Sequence, residues 1–374
     1  MAKYKIAWLP GDGVGVELAH CAERVLESLQ LDAELVSGDI GWEFWRNEGN
    51  PLPDRTVDIL ENTDCAFMAA ITSKPATDAI GELGEHMQGK GFTYRSPIIR
   101  IRQLFNLHTN LRPCKAYSGN ALNHADGTDL VIFRENTEGL YVGVEFYPLP
   151  QAVYDSMSDY NENIKRFPVE ELNETALSAR IVTKKGCHEI IMGAFLYARK
   201  HNRRSVTLVE KPNVLRETGG LMRRTALEIA PQFPDIEFQE VNVDAMCMWM
   251  VKNPHAYDVI VAGNMFGDII SDLAAQLIGG LGFAGSANLG DDYAVFEPSH
   301  GSAPKYAGQN KVNPIATFQS LKMMMEWLGE TKKAVSLEAA ITQLISEQKV
   351  GTFDMGMNNT NIELTEEICR LVST

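Results

Sequence analysis

The chain has 374 residues, of which 45% are apolar, so it is long enough for two lobes around a substantial core. Its 34 lysines and arginines are outnumbered by 49 aspartates and glutamates, and the net charge of −15 disfavours a nucleic acid or an anionic membrane as a partner. Six scattered cysteines without a CxxC pair, no signal segment and no membrane-length apolar run together predict a cytoplasmic protein without a zinc site or a disulfide framework.

Strand-like and helix-like segments alternate along most of the chain, which predicts an α/β fold. In chain order these segments are a strand over 4–9, a glycine turn at 10–15, a helix over 15–29, and short apolar strands at 65–71, 129–133, 206–209 and 258–262. The strands end at polar clusters, where α/β folds place their ligand chemistry. Residues 148–176 are polar, contain prolines and show weak periodicity, so we interpret them as an inserted interface arm without a catalytic role.

The glycine turn PGDGVG at 10–15 is the first candidate binding motif. Its spacing is GxGxG, not GxGxxG, and no well-placed acidic residue follows a second strand to hold a ribose. The motif is therefore weak evidence for a Rossmann fold, and a tight turn at the mouth of a cleft explains it equally well. A second candidate is the long polar loop over 296–314, since such loops can wrap a nucleotide through backbone amides.

Three arginines, Arg102, Arg112 and Arg134, each follow an apolar residue near the edge of a strand or helix. Guanidinium groups bind carboxylates bidentately in a fixed geometry, so three of them together would suit a dicarboxylate or tricarboxylate. Taken singly, each could equally be a surface or ion-pair arginine. Tyr141 follows in RENTEGLY and would be a plausible proton donor if it were buried beside a cation.

Lys211 lies at the end of the strand at 206–209, where nearby positive charge would disfavour its ammonium form and let it act as a base. An ordinary solvated lysine is the alternative, and this segment alone favours it. Asp244 lies inside an apolar run, which is costly for a carboxylate unless it is paired or binds a metal.

Asp268 and Asp272 are four residues apart in a helical pattern, so both carboxylates face the same side. The two like charges repel each other, and a hard divalent cation such as Mg²⁺ or Mn²⁺ would compensate them. A solvated acidic face is the alternative, but the apolar neighbours on both sides favour the metal.

Six motifs in this order resemble the β-decarboxylating dehydrogenase family, and together they cover nearly the whole chain: PGDGVG, NLRP, RENTEGLY, KPNV, NMFGDIISDL and EPSHGSAPKYAG…NP. That family contains isocitrate, homoisocitrate, 3-isopropylmalate and some tartrate or malate dehydrogenases. The resemblance implies an open α/β sheet of family-specific topology, not a Rossmann fold. It also implies a large, mainly cofactor-binding domain over 1–107 and 280–374. The remaining residues, 108–279, would form a small domain with the dimer interface and the metal aspartates.

The resemblance also implies roles for individual residues. Ser96, Arg102, Arg112, Arg134 and Asn213 would bind substrate; Asp244, Asp268 and Asp272 would bind Mg²⁺ or Mn²⁺; Tyr141 and Lys211 would move protons; and Thr72, Glu297, His300, Gly301, Ser302, Ala303, Lys305, Tyr306 and Asn313 would bind NAD(P)⁺. In this family Lys211 and Asp244 would reach the site from the neighbouring subunit, so a homodimer is the smallest working unit, and higher homo-oligomers remain open.

The substrate determinants before Arg102 are mixed. Ser96 matches the serine that isocitrate enzymes direct at the third carboxylate, and additional arginines at Arg95 and Arg100 would favour such a group. Ile98 and Ile99 instead stand where isopropylmalate enzymes carry a leucine pair, and Ile98 replaces an asparagine of the isocitrate enzymes. We favour isocitrate, with 3-isopropylmalate and homoisocitrate as alternatives.

The cofactor determinants are mixed as well. Lys305 and Tyr306 match the pair that NADP-dependent isocitrate enzymes place on the 2′-phosphate. The arginine that those enzymes carry after the Asp244 helix is Asn253 here, and no arginine occurs over 352–357. The sequence therefore leaves the choice between NAD⁺ and NADP⁺ open, and we expect NAD(P)⁺ as the cofactor.

Two other functional classes compete with the active enzyme. One is a non-catalytic regulatory subunit of a heteromeric isocitrate dehydrogenase, which would be expected to have lost part of the catalytic lysine, tyrosine and aspartate set. That set is complete here, which favours the enzyme. The other is a related metal-dependent dehydrogenase of a phosphorylated hydroxy-amino acid, whose histidine-built metal site does not match Asp268 and Asp272.

Overall fold

The computed structural model describes residues 2–373 and contains twelve strands and thirteen α-helices within that range. The strands are β1 (Tyr4–Gly11), β2 (Ala33–Ser37), β3 (Cys65–Ala70), β4 (Thr109–Lys115), β5 (Asp129–Glu135), β6 (Glu145–Phe146), β7 (Leu177–Ser178), β8 (Ser205–Glu210), β9 (Glu237–Asn242), β10 (Val259–Ala262), β11 (Gly285–Leu289) and β12 (Ala294–Pro298). The helices are α1 (Val14–Ser28), α2 (Trp42–Glu48), α3 (Asp54–Glu61), α4 (Ala76–Gly81), α5 (Pro97–Leu104), α6 (Gln151–Tyr160), α7 (Lys184–Lys200), α8 (Thr218–Ile229), α9 (Val243–Lys252), α10 (Asn264–Leu277), α11 (Ile315–Trp327), α12 (Thr331–Glu347) and α13 (Asn361–Val372).

Ten of the strands form one mixed sheet in the order β2-β1-β3-β12-β11-β4-β5-β10-β8-β9. Its outer pairs are parallel, whereas β11 runs antiparallel to both β12 and β4, and β4 runs antiparallel to β5. The antiparallel centre distinguishes this sheet from the all-parallel Rossmann arrangement. The predicted open α/β sheet is therefore confirmed.

Helices cover both faces of the sheet because successive side chains of its strands point to opposite faces, and both faces are apolar. On β1, Ile6 and Trp8 pack into the cluster that contains the apolar faces of α1, α11, α12 and α13. Ala7 and Leu9 pack on the opposite face with Ile101 of α5. Helices from the two ends of the chain thus share one core, as α1 packs against α13.

The segment at 148–176 is more regular than its weak periodicity predicts. The strands β6 and β7 pair antiparallel and bring its two ends together, and α6 lies between them. Leu149, Tyr154 and Leu172 are buried in a small apolar cluster of their own. This local core explains how a polar segment supports a helix, and its role as an interface arm stays a prediction.

Composition predicts neither a disulfide framework nor a membrane-spanning segment. All six cysteines are unpaired, and Cys21, Cys65, Cys114 and Cys187 are buried. Among residues 2–373 no helix is both long enough and apolar enough to cross a bilayer.

Candidate active site

Three buried arginines meet at the centre of the sheet although they come from three different elements. Arg102 lies on α5, Arg112 on β4 and Arg134 on β5, and their exposed fractions are 7%, 8% and 2%. The register pairs Asn110 with Arg134, so alternation along the antiparallel β4–β5 pair puts both arginine side chains on one face. The structure therefore brings together the three arginines that the sequence singled out.

Asparagine side chains hold each guanidinium group. The hydrogen bonds run from Arg102 Nε to Asn288 Oδ1 (2.9 Å), from Arg112 Nε to Asn110 Oδ1 (2.7 Å), and from Arg134 Nε and Nη2 to Asn264 Oδ1 (3.0 and 2.8 Å). These asparagines are not among the residues predicted from the sequence, although the two-residue spacing of Asn110 and Arg112 on a strand was a usable signal. The asparagines fix the orientation of each guanidinium group without neutralising its charge.

The three arginines pair with three acids, of which Glu297 is largely buried, whereas Asp268 and Asp272 are partly exposed. Burial lowers the pKa of Arg102, and burial together with the nearby Arg102 and Arg112 cations lowers the pKa of Arg134. Within residues 2–373, the hydrogen bonds of Arg102 use Nε and one Nη, so the other Nη forms none. The arrangement suits a ligand that carries several negative charges.

Asp268 is the acid on which this cluster converges. Its Oδ1 accepts a hydrogen bond from Arg134 and lies 3.4 Å from Arg112 Nη2, and its Oδ2 accepts one from the Tyr141 hydroxyl at 2.7 Å. One turn further along α10, Asp272 accepts from Arg112 at 3.1 Å. The side chains of Asp268 and Asp272 are 32% and 57% exposed, so the pair lies at the mouth of the site rather than in apolar surroundings.

Tyr141 lies beside a cation, which is one of the two conditions stated for its role as a proton donor. The Arg134 guanidinium stands 5.1 Å from the centre of its ring. Burial, followed by the hydrogen bond to Asp268, raises the pKa of the Tyr141 phenol. The phenol therefore keeps its proton at neutral pH.

Lys211 and Asp244 form a separate ion pair with each other. The Asp244 carboxylate is 68% exposed, and the hydrogen bond from Lys211 lowers its pKa. The apolar run around Asp244 does not enclose its carboxylate, because only Met246 and Met250 of α9 are buried, and Asp244 lies in the first turn on another side. Residues 2–373 contain no group of three histidine, cysteine, aspartate or glutamate side chains that could hold a metal, so a single chain does not assemble the predicted aspartate triad.

The two carboxylates of α10 nevertheless fit a hard divalent cation. Burial and the neighbouring Asp268 charge raise the pKa of Asp272 despite its contact with Arg112. A cation between the two carboxylates would relieve this repulsion, and carboxylate oxygens are the ligands that Mg²⁺ and Mn²⁺ prefer.

The residues just before Arg102 differ in what their side chains contact. Ser96 precedes α5, and its hydroxyl lies 3.1 Å from the Ser73 hydroxyl, next to the predicted cofactor residue Thr72. Arg95 and Arg100 do not join the arginine cluster: Arg95 donates to Gln103, and Arg100 donates to the Leu52 carbonyl. The two additional cations expected for a third carboxylate are thus engaged elsewhere.

The two isoleucines of α5 also differ from each other. Ile98 packs with Ile101 in the apolar core. Ile99 is half-buried one turn before Arg102 and belongs to none of the apolar clusters of residues 2–373. Asn213, the remaining predicted substrate residue, is exposed in the turn after β8.

Loops at the other end of the site form the predicted cofactor region. The hydroxyls of Thr72 and Ser302 lie 2.5 Å apart, and the Ser302 carbonyl accepts from the Val14 amide at 2.9 Å. Gly13 has a φ of +56°, and a Cβ there would lie 2.3 Å from the Ser302 carbonyl oxygen. The glycine turn thus allows close contact between two loops.

Asp12, which is not among the residues predicted from the sequence, connects these loops by hydrogen bonds. Its carboxylate accepts from the Trp42 amide at 2.7 Å and from the Thr72 amide at 2.8 Å. An acid between the first two glycines of PGDGVG was the available signal. Burial raises the pKa of Asp12, and these amide hydrogen bonds oppose that rise.

The loop after β12 offers groups that a dinucleotide could use. His300 Nε2 is buried without a hydrogen-bond partner in residues 2–373, and Nδ1 lies 3.0 Å from the Gly301 carbonyl. Burial lowers the pKa of His300. Ala303 has a left-handed backbone with a φ of +35°, which turns the loop sharply. The unpaired Nε2 of His300 and the sharp turn at Ala303 would both suit a loop that binds a nucleotide.

The last predicted cofactor residues lie around the same loop. The exposed Lys305 stands over the ring of Tyr306, whose centre lies 5.6 Å from that of Phe353. Asn313 is buried and donates to Asp354 at 3.1 Å. The segment at 352–357 therefore borders this region and brings an acid to it.

Glu297, a predicted cofactor residue, accepts from Arg102 at 3.3 Å and from Asn288 at 2.8 Å, so it connects this region to the arginine cluster.

Comparisons with known proteins give a consistent family. The family model described as isocitrate/isopropylmalate dehydrogenase matches residues 5–372. Protein DlpA of Legionella pneumophila is 38% identical over 364 residues, which are 97% of this chain but only 58% of DlpA. A homoisocitrate dehydrogenase of Methanocaldococcus jannaschii is 37% identical over 378 residues, covering 98% of this chain and 97% of that enzyme. The crystal structure of isocitrate dehydrogenase from Methylococcus capsulatus superposes with a TM-score of 0.86 at 36% identity, covering 99% and 100% of the two chains.

Proposed function

Since the chain belongs to the isocitrate/isopropylmalate dehydrogenase family, we propose that it oxidises and decarboxylates a 2-hydroxy-3-carboxy acid, with isocitrate as the leading candidate. One observation carries the proposal: Arg102, Arg112 and Arg134 are buried together, and two of the three acids that pair with them, Asp268 and Asp272, are the predicted metal ligands. A substrate with at least two carboxylates would take the place of these acids at the guanidinium groups and bind them bidentately.

The chemistry follows from groups on either side of that substrate. Lys211 Nζ, in its neutral form and released from its ion pair with Asp244, would accept the proton of the C2 hydroxyl as the hydride of C2 passes to NAD(P)⁺. The bond from C3 to its carboxylate then breaks, and its electron pair remains on the substrate as CO₂ departs. Tyr141, whose raised pKa keeps the phenol protonated at neutral pH, donates its hydroxyl proton to C3.

Asp268 and Asp272, with Asp244 of a second copy, would hold Mg²⁺ or Mn²⁺. Such a cation would polarise the hydroxyl and stabilise developing negative charge. Requiring a second copy is consistent with the exposed position of Asp244 and with the absence of a three-acid group within residues 2–373.

A homodimer is the smallest unit that completes this site. Helices α9 and α10 expose several large apolar side chains: Met248, Trp249, Val251, Met265 and Ile269. Exposed apolar side chains on neighbouring helices are typical of an interface between subunits. A two-domain division at residues 108 and 280 and a cytoplasmic location remain part of this proposal, the latter supported by the unpaired cysteines.

The cofactor NAD(P)⁺ would accept the hydride. Thr72, Ser302, His300 and Asn313 surround the loop that would bind it. Lys305 supports NADP⁺, whereas Asp354 would repel a 2′-phosphate brought close to Asn313.

Isocitrate is supported by Ser96, whose hydroxyl lies 3.1 Å from that of Ser73, the residue after the predicted cofactor residue Thr72. A second candidate, 3-isopropylmalate, is favoured by the half-buried Ile99, which lies one turn before Arg102 outside the apolar core, and by the engagement of Arg95 and Arg100 elsewhere. The test is NAD(P)H absorbance with Mg²⁺ or Mn²⁺ and a panel of isocitrate, homoisocitrate, 3-isopropylmalate, malate and tartrate. Turnover that stops with EDTA supports the enzyme. Binding without turnover across the panel would instead indicate a regulatory subunit.

The side chain of Ile99 should set the preference between these substrates. Replacing it in Ile99→Ala should raise the ratio of kcat/KM for isocitrate to that for 3-isopropylmalate by roughly 10–10²-fold, because a smaller wall binds a branched alkyl group less well. The matched control is Ile98→Ala, which packs in the core and should lower the melting temperature without changing the ratio. Equal effects of both variants on the ratio would remove Ile99 from the pocket.

Cofactor preference should depend on Lys305. The variant Lys305→Asp should raise the ratio of kcat/KM for NAD⁺ to that for NADP⁺ by about 10-fold or more, because it replaces attraction to a 2′-phosphate with repulsion. Steady-state kinetics with both cofactors measures the ratio, and the exposed Lys311→Asp is the control. An unchanged ratio would show that Lys305 does not contact the 2′ position.

A further inference from the structure

A cavity of about 650 Å³ lies on the face of the sheet opposite the candidate active site. One wall comes from α7 and the residues after it, and the other from α11 and α12. Its floor is formed by β4, β5, β11 and β12. The volume falls in the range of pockets that hold cofactor-sized or drug-sized molecules.

Strand alternation separates this cavity from the active site. On β4, Asn110 and Arg112 face the arginine cluster, whereas Leu111 and Pro113 line the cavity. On β11, Asn288 bonds to Arg102, whereas Ala287 lines the cavity. The two spaces therefore share a floor but no side chains.

The acids of the cavity are neutralised within it, but one cation is not. Each acid has a basic partner: Glu338 with Lys115 (2.5 Å), Glu326 with Lys322 (3.3 Å), and Asp129 with Arg203 (2.6 Å). Lys200 takes part in none of the ion pairs of residues 2–373. The lining thus offers an uncompensated positive charge to a ligand.

Aromatic rings lie on both walls. Tyr197 and His201 stack with their ring centres 4.1 Å apart and an angle of 26° between the planes. The exposed indole of Trp327 lines the opposite wall. Flat surfaces on two walls suit a planar ring, which gains dispersion and stacking energy there.

We propose that this cavity is a second ligand site, which binds a planar aromatic molecule carrying an anionic group. The ring lies against Tyr197, His201 and Trp327, and the anion pairs with Lys200. This inference does not depend on the proposed function, since none of these residues belongs to the catalytic set.

The probe is 8-anilinonaphthalene-1-sulfonate, an aromatic anion with a planar naphthalene ring, titrated by fluorescence into the protein. We expect one saturable site per chain. Both Val335→Phe, which fills the cavity from an exposed position on α12, and Lys200→Glu should weaken binding at least about 10-fold. The uncharged analogue N-phenyl-1-naphthylamine should bind more weakly and should not respond to Lys200→Glu.

Matched controls lie outside the cavity. Ile362→Phe on α13 adds a ring at another exposed position, and Lys185→Glu reverses a charge at the far end of α7, so neither should change the affinity. Absence of saturable binding, or unchanged binding by Val335→Phe, would overturn the proposal. Loss of binding in Met248→Lys alone would also overturn it and would assign the probe to the exposed apolar face of α9.

Discussion

The variant Asp268→Asn is expected to lose turnover to below about 10⁻³ of the wild-type rate while keeping its fold, because a preorganised charge at the reacting centre disappears. Asp268 is the acid on which Arg112, Arg134 and Tyr141 converge. An amide oxygen can still accept from Arg134, and the shape of the side chain is unchanged, so the melting temperature should move little. Mn²⁺ binding, followed by electron paramagnetic resonance, should weaken in parallel with the loss of activity.

The control for this prediction is Asp292→Asn, an equivalent charge removal at an exposed position in the loop between β11 and β12. It should leave activity, stability and Mn²⁺ binding unchanged. Near-wild-type activity of Asp268→Asn, with the metal still required, would contradict the assignment of Asp268 as a metal ligand. A large fall in melting temperature would instead indicate that Asp268 acts mainly by neutralising the arginines.

The apolar strands of the sheet could be predicted, whereas its antiparallel centre could not. Runs such as Cys65–Ala70 and Val259–Ala262 are buried on both faces and are recognisable from composition alone. The strand β4 escapes that criterion because it contains Pro113, which cannot donate to the ladder, and because Arg112 and Asn110 lie on one of its faces. The features that hid this strand are those that build the active site on it.

The candidate site was predictable by residue type but not by environment. Arg102, Arg112 and Arg134 could be selected because guanidinium groups beside apolar strands suit carboxylates. The surroundings of Asp244 could not, since a run of apolar letters does not tell which helical face each residue occupies. Arg95 and Arg100 illustrate the same limit, because their partners, Gln103 and Leu52, are fixed by tertiary structure.

The second large effect is expected for Lys211→Met. This variant should lower kcat by roughly 10²–10⁴-fold, the usual scale for a positioned acid or base, with little change in KM. Methionine keeps the length of the side chain but removes the group that accepts the hydroxyl proton, and it leaves Asp244 without its partner. The exposed Lys332→Met should behave like wild type. A kcat within a few-fold of wild type would remove Lys211 from the mechanism.

Mixing the two inactive variants tests where Lys211 acts. If each site combines Lys211 of one subunit with Asp268 of the other, a mixed dimer of Lys211→Met and Asp268→Asn contains one doubly altered site and one intact site. Random assembly makes half of the dimers mixed, so co-expression should recover about a quarter of the wild-type activity. If Lys211 served the Asp268 of its own chain, every site would carry one substitution and no activity would return. Recovery therefore requires a shared site, which a single chain does not reveal because its Lys211 is bound to its own Asp244.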